Sequence, residues 1–94
     1  MKPELVIGDQ VLAFARTLAP ETRKRLRRAL QELAVGRGDI KPLERELAGL
    51  YRLRVGQHRV IFRYAGRQVR CFYAAPRDIV YDVLSSRLKE FLDK

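Results

Sequence analysis

The chain has 94 residues, one cysteine, one histidine and a formal net charge of +9, from 20 Lys+Arg against 11 Asp+Glu. This length fits one domain over residues 1–94, and a hydrophobic fraction of 47% is typical of a folded protein rather than a disordered one. A lone Cys71 excludes an internal disulfide, and one Cys with one His excludes a protein zinc site. We find no membrane-spanning run of ~20 apolar residues and no signal-peptide core, so we expect a cytoplasmic protein without metal or cofactor.

The predicted elements begin with a short strand over residues 4–8, which is followed by two amphipathic helices. Asp9 is expected to cap the first helix, and Pro20 suits the first turn of the second helix. The second helix carries a leucine-rich stripe on one face. Its other face is predicted to be exposed and basic, with Arg23, Lys24, Arg27 and Arg28.

The second half of the chain predicts three strands and a closing helix. Glycines end the second helix, and residues 40–47 are expected to form an irregular connection. The strands cover residues 50–55, 59–65 and 68–74, separated by short glycine-bearing turns that indicate a meander. From about Asp78 the hydrophobic period becomes helical again, with Leu88, Phe91 and Leu92 on the apolar stripe. The predicted class is α+β, in the order β-α-α-β-β-β-α, with a helical hairpin on one face of an antiparallel sheet.

Arginine is concentrated in one part of the chain. Residues 51–77 contain seven arginines and no acid. Because side chains alternate along a strand, Arg52 and Arg54 should lie on the face away from the helical hairpin. Guanidinium groups bind phosphate in a bidentate manner and keep their charge, so this segment predicts a nucleic-acid partner.

Residues 47–64 read Leu-Ala-Gly-Leu-Tyr-Arg-Leu-Arg-Val-Gly-Gln-His-Arg-Val-Ile-Phe-Arg-Tyr. This run resembles the core signature of the RelE/ParE toxin superfamily: a leucine-glycine turn, an aromatic residue, alternating basic residues, a glycine, and then Arg-Val-Ile-aromatic. The predicted order of elements is also that of the family. The resemblance implies the toxin of a type II toxin–antitoxin pair, with a cognate antitoxin as partner.

RelE-like members of that family are mRNA interferases, and many of them cut messenger RNA in the ribosomal A site. The ribose 2′-hydroxyl attacks the adjacent phosphate, which leaves a 2′,3′-cyclic phosphate and a 5′-hydroxyl. The resemblance therefore implies an endoribonuclease that uses no metal, with mRNA and the ribosome as partners.

Matching the family motif residue by residue assigns Arg59, Arg77 and Tyr81 to catalysis. Arg52 and Arg54 occupy two strand positions that are lysines in well-known RelE-like enzymes, and they are assigned to RNA binding. Arg63 is assigned to RNA binding as well. Since arginine holds its proton too tightly to be a good general base, the alternatives for the base are Tyr81, His58 or no general base at all.

Two further functions remain open from the sequence. A ParE-like protein would inhibit DNA gyrase without cutting RNA, and it would share the fold but not the catalytic cluster. A non-catalytic nucleic-acid-binding module would explain arginines in place of the two lysines. The joint presence of Arg59, Arg77 and Tyr81 favours the endoribonuclease.

Overall fold

The structure is a computed structural model that describes residues 3–92, apart from the side chains of residues 85 and 87–92. Its elements in chain order are β1 (Glu4–Ile7), α1 (Asp9–Arg16), α2 (Pro20–Leu33), β2 (Asp39–Pro42), a 3-10 turn (Arg45–Leu47), β3 (Tyr51–Val55), β4 (His58–Ala65), β5 (Gln68–Pro76) and α3 (Arg77–Leu92). The predicted α+β class is confirmed. No helix within residues 3–92 is long and apolar enough to cross a membrane.

One mixed sheet organises the described residues, with the strand order β1-β5-β4-β3-β2. The predicted meander of β3, β4 and β5 is confirmed and forms the centre of the sheet. Its hairpins turn at Gly56 and Gly66, whose φ angles of 60° and 61° are accessible to glycine at little cost. β1 adds to β5 in parallel, and β2 adds to β3 in the antiparallel sense.

The prediction of an irregular connection over residues 40–47 is wrong in its first part, because β2 lies there. This strand pairs Asp39 with Arg54 and Lys41 with Arg52. It has only four residues and includes Pro42, and proline is tolerated in a sheet only where a backbone donor is not needed, as on an edge strand. Short, charged and proline-bearing sequence is typical of loops, so the strand had no recognisable pattern.

Two hydrophobic cores lie on opposite faces of the sheet. The larger one lies against α1 and α2, and its buried residues include Val11, Leu26, Leu30, Leu33, Leu53, Val60 and Phe62. The smaller one lies under α3 and contains Leu50, Ile61, Tyr73, Ala75, Val80 and Leu84. The predicted contributions of Leu88, Phe91 and Leu92 lie outside the described side chains. Since α3 covers only part of its face, the remainder of that face is open.

Two predictions about the helical hairpin require correction. Asp9 is the first residue of α1 rather than its cap; Gly8 holds the cap position and donates its N–H to the Cys71 carbonyl at 2.8 Å. A Cβ at Gly8 would lie 3.0 Å from the same oxygen, which explains the glycine. Arg23 does not belong to the exposed basic face, because its guanidinium donates to the carbonyls of Ala15 and Leu18 at the end of α1. It thereby satisfies acceptors that the helix end leaves unpaired.

A β-bulge in β5 changes which side chains share a face. Ile61 pairs with Tyr73 and Phe62 pairs with Cys71, which leaves Phe72 without a partner in β4. Beyond the bulge, β1 no longer runs beside β5, and the side chain of Gln10 in α1 forms the hydrogen bonds with Ala74 that a neighbouring strand would otherwise form. Its side-chain amide donates to the Ala74 carbonyl at 2.8 Å and accepts from the Ala74 N–H at 2.7 Å. The backbone of β5 is therefore paired where β1 has already ended.

Candidate functional site

A basic cleft opens on the sheet face that α1 and α2 do not cover, between β2, β3, β4 and the start of α3. Its volume is about 490 Å³. The lining residues are Lys41, Pro42, Leu43, Glu44, Arg52, Arg54, Arg59, Arg77 and Tyr81. The five residues predicted from the sequence that lie here come from β3, β4 and α3, so the fold brings separate stretches of the chain to one cleft.

The strand pattern of β3 positions the first two arginines as predicted. Leu53 and Val55 are buried in the core under the helical hairpin, so Arg52 and Arg54 point to the opposite face. Both guanidinium groups lie near the carboxylate of Asp39 on β2, with N–O distances of 3.6 Å for Arg52 and 3.9 Å for Arg54. Asp39 thus offsets part of the positive charge at this end of the cleft.

Arg59 lies in the cleft but is more enclosed than the sequence predicts. It is the register partner of Arg54, and only 9% of its surface is exposed. Its Nη1 donates to the carbonyls of Gly56 and His58, both at 2.9 Å. Two hydrogen bonds to the β3–β4 turn hold the guanidinium in place, so Arg59 is a pre-oriented cation as well as a support for the turn.

The start of α3 supplies the fourth arginine and the tyrosine. The Arg77 N–H donates to the Gln57 carbonyl at 2.9 Å, which ties the start of the helix to the β3–β4 turn. Val80 is fully buried and fixes the rotation of the helix. Arg77 and Tyr81 are one helical turn apart and share the cleft-facing side. The Tyr81 side chain is 42% exposed, so it is accessible to a ligand.

Two candidate site residues predicted from the sequence do not line this cleft. His58 precedes Arg59 in β4 and therefore points to the other face, where its ring contacts Phe14 of α1 edge-on at 5.3 Å between centroids. The hypothesis that His58 is the general base is not supported by this position. Arg63 pairs with Arg70 farther along the β4–β5 ladder and is absent from the cleft lining. Its predicted RNA contact would have to be made outside the cleft.

Lys41 is the lining cation that sequence reasoning missed. It lies on β2 directly opposite Arg52, so the two side chains share the open face of the sheet. The omission follows from the missed strand, since a lysine in a loop has no defined direction. The alternation of Asp39 and Lys41 close to the acid-free segment was the one signal that could have indicated it.

No protein-family model matches the sequence, and no curated protein matches it. Solved structures do match the fold. The RelBE2 toxin–antitoxin complex from Mycobacterium tuberculosis contains a chain that superposes with a TM-score of 0.72 at 21% identity, covering 82% of this chain and 100% of that chain. For the archaeal RelE–RelB complex from Pyrococcus horikoshii the TM-score is 0.67 at 26% identity, over 82% of this chain and 97% of that one.

A mutant of the Escherichia coli toxin RelE, in the free state, superposes with a TM-score of 0.69 at 19% identity. That alignment covers 96% of this chain and 98% of the other. The fold is therefore that of the RelE toxins. The resemblance predicted from residues 47–64 is confirmed, and the structure is RelE-like.

Proposed function

We propose that this protein is the toxin of a type II toxin–antitoxin system and that it cleaves messenger RNA. The observation that carries the proposal is the convergence of four arginines and Tyr81 on one accessible cleft. These arginines come from β3, β4 and α3, and Glu44 is the single acid among the described residues that line the cleft. A cleft of this composition is suited to the phosphates of a nucleotide chain.

The proposed reaction uses the substrate's own nucleophile. The 2′-oxygen attacks the adjacent phosphorus, the bond to the 5′-oxygen breaks, and the products are a 2′,3′-cyclic phosphate and a 5′-hydroxyl. The protein has to orient the phosphate in line with the 2′-oxygen, stabilise the added negative charge and move two protons. None of these tasks requires a metal or another cofactor.

The arginines divide the first two tasks. Arg52 and Arg54 bind the RNA backbone along β3, where one partly exposed acid is the only counter-charge within ion-pair distance among the described residues. Arg59 and Arg77 bind the reacting phosphate and stabilise its transition state. Because the Arg59 guanidinium is already held by two carbonyls, little reorganisation is needed when charge develops. Tyr81 stacks on a base or donates a proton to the 5′-oxygen.

A cognate antitoxin and the ribosome are the proposed partners. The matching structures from M. tuberculosis and P. horikoshii are toxin–antitoxin complexes. With a net charge of +9, this chain suits an acidic, amphipathic antitoxin segment that covers the arginine cleft or displaces α3. Cleavage in the ribosomal A site would make the ribosome the second partner.

One feature favours a second function. Arginines at the two positions where other RelE-like enzymes carry lysine retain phosphate affinity but cannot release a proton. The alternative is therefore a nucleic-acid-binding module without catalysis. Inhibition of DNA gyrase is a further outcome that the same experiment would detect.

Primer extension on a messenger in a purified translation system tests these functions against each other. We expect cleavage in the presence of ribosomes, with products that carry a cyclic phosphate and a 5′-hydroxyl. Binding without cleavage would support the non-catalytic module. Inhibition in a parallel gyrase supercoiling assay, with intact messenger, would overturn the endoribonuclease. In a parallel reaction with RNA and no ribosomes, adding a chelator of divalent ions should not slow cleavage.

A further inference from the structure

The cleft contains one cation that is chemically unlike the others. Arg52, Arg54, Arg59 and Arg77 carry guanidinium groups, and Lys41 carries the only ammonium among the described residues that line the cleft. A guanidinium is effectively always protonated in proteins, whereas an ammonium can lose its proton and serve as a base. Lys41 and Tyr81 are thus the lining side chains that can both bind RNA and exchange a proton.

The pairing of β2 with β3 determines which face of the sheet the Lys41 side chain occupies. Lys41 is the register partner of Arg52 in an antiparallel ladder, so the Cβ atoms of the pair lie about 5 Å apart on the same face. Across the cleft, Arg59 comes from β4 and Tyr81 from α3. The lysine therefore lies on one wall and the tyrosine on another, with the phosphate-binding arginines between them.

Among the described residues, no acid forms an ion pair with Lys41. Asp39, two residues away on the same strand, is within ion-pair distance of Arg52 and Arg54. No acid in the described part of the chain lies within 4.0 Å of the Lys41 ammonium. In the cleft, the Lys41 nitrogen is thus positioned to contact a substrate hydroxyl rather than a carboxylate of the protein.

We infer that Lys41 is the general base of the proposed ribonuclease and that Tyr81 is its general acid. The inference rests on the proposed function. The neutral Lys41 amine accepts the proton of the 2′-hydroxyl as the 2′-oxygen forms its bond to phosphorus. The electron pair of the broken P–O bond passes to the 5′-oxygen, which takes the proton of the Tyr81 hydroxyl. The resulting ammonium and tyrosinate exchange one proton through solvent, which restores both groups.

The experiment compares charge with proton transfer at this position. Lys41→Arg keeps the positive charge but cannot accept a proton, so cleavage of a short messenger bound in the ribosomal A site should fall by about 100-fold or more. Affinity for the same messenger with a 2′-deoxyribose at the scissile position should change by less than about threefold, since the charge that binds phosphate is kept. Lys24→Arg is the matched control, because Lys24 lies on the exposed side of α2, outside the cleft, and its replacement should leave cleavage unchanged.

A second substrate separates the base from the acid. A messenger with sulfur in place of the scissile 5′-oxygen has a leaving group that needs no proton. On this substrate Tyr81→Phe should regain most of its lost rate, while Lys41→Arg should remain slow. Equal rates for Lys41→Arg and the wild type on the oxygen substrate, or recovery of Lys41→Arg by sulfur, would overturn the assignment of Lys41 as base.

The outcome for the wild type distinguishes this inference from the function on which it rests. If the wild-type protein cleaves neither substrate, the proposed ribonuclease fails, and the assignment of Lys41 fails with it. If the wild type cleaves and Lys41→Arg is equally fast, only the role of Lys41 is overturned.

Discussion

Asp39 lies directly opposite Arg54 in the β2–β3 ladder, and its Oδ2 atom is 3.9 Å from the Arg54 Nη1 atom. Its other carboxylate oxygen is 3.6 Å from Arg52. Because the Asp39 side chain is about half exposed, these ion pairs contribute little to stability. Their effect is electrostatic: they reduce the positive potential where RNA is expected to bind.

We expect Asp39→Asn to strengthen RNA binding at low salt. The freed guanidinium groups should raise affinity by roughly threefold to tenfold and steepen the salt dependence by about 0.7 for each additional phosphate that they neutralise. Binding of a non-cleavable RNA, titrated at several salt concentrations, measures both quantities. Glu32→Gln makes the same charge change on the exposed side of α2 and is the control. An equal increase in affinity for the two variants would show that net charge alone is responsible.

Arg59 and Arg77 should separate stability from catalysis. Arg77 is exposed and its structural hydrogen bond uses the backbone N–H, so Arg77→Ala should lower cleavage by about 10²–10³-fold with an unchanged melting temperature. Arg59→Ala should lose activity and also about 1–3 kcal/mol of stability, because the Gly56 and His58 carbonyls lose their donor. For a domain of this size, each kcal/mol corresponds to roughly 4–8 °C in melting temperature.

Growth arrest on expression and thermal unfolding together check this pair. Full toxicity of the Arg59→Ala/Arg77→Ala double variant, at equal expression, would remove both residues from the proposed site. An unchanged melting temperature for Arg59→Ala would show that its two hydrogen bonds do not support the turn.

Tyr81→Phe tests whether the hydroxyl or the ring is used. If the hydroxyl donates a proton, cleavage should fall by roughly 10²-fold, and thermal stability should stay the same because the side chain is 42% exposed. Tyr64→Phe is the matched control: Tyr64 is 51% exposed but packs with Tyr51 and Phe62, on the other side of the sheet. Wild-type cleavage by Tyr81→Phe, with failure only of Tyr81→Ala, would restrict Tyr81 to stacking.

Gln10 should contribute to stability through its hydrogen bonds rather than through packing. Gln10→Ala leaves the N–H and carbonyl of fully buried Ala74 unpaired, which should cost about 1–3 kcal/mol. Denaturant unfolding measures the loss, and hydrogen exchange at the Ala74 amide should accelerate more than at other β5 amides. Gln31→Ala, on the exposed side of α2, should change neither quantity. Unaltered exchange at Ala74 would contradict this interpretation.

Cys71 makes stability depend on alkaline pH. Burial raises the pKa of its thiol from 9.0 to about 12, because the thiolate is poorly solvated in the core. The unfolded chain therefore releases this proton at lower pH than the folded chain, so the stability contribution is complete below pH 9 and is lost as pH rises toward 12. The free energy of unfolding of the wild type should fall more steeply over this window than that of Cys71→Ala. Parallel curves for the two proteins would contradict the buried, neutral thiol.

Most of the fold is predictable where a hydrophobic period continues over a whole element. β3, β4 and α2 each show such a pattern, and the structure has them within a residue or two of the predicted bounds. β2 lacks a pattern because an edge strand buries little, and its pairing depends on a partner strand that lies beyond the 3-10 turn in sequence. The bulge at Phe72 was also beyond local reasoning, since an extra residue in β5 leaves no mark in the alternation of a strand that is apolar on both faces.

The site residues were predictable where the alternation of side chains along a strand determines which face of the sheet each one occupies. This alternation predicted the face of Arg52 and Arg54 correctly, because their apolar neighbours Leu53 and Val55 identify the buried face. His58 was predicted to lie in the turn before β4. It is instead the first residue of β4, so its side chain lies on the opposite face of the sheet from that of Arg59. The enclosure of Arg59 depends on the Gly56 and His58 carbonyls, so the alternation of side chains alone could not predict it.

The edge strand β2 has a consequence for the behaviour of the protein at high concentration. An unpaired strand edge can recruit the same edge of another copy, and so begin aggregation. In β2 this edge is four residues long, ends at Pro42, which has no N–H to offer, and carries the opposite charges of Asp39 and Lys41. A second copy that paired with this edge in the antiparallel sense would form only a short ladder with few backbone hydrogen bonds. The strand that completes the cleft thereby also protects this edge of the sheet from pairing with another copy.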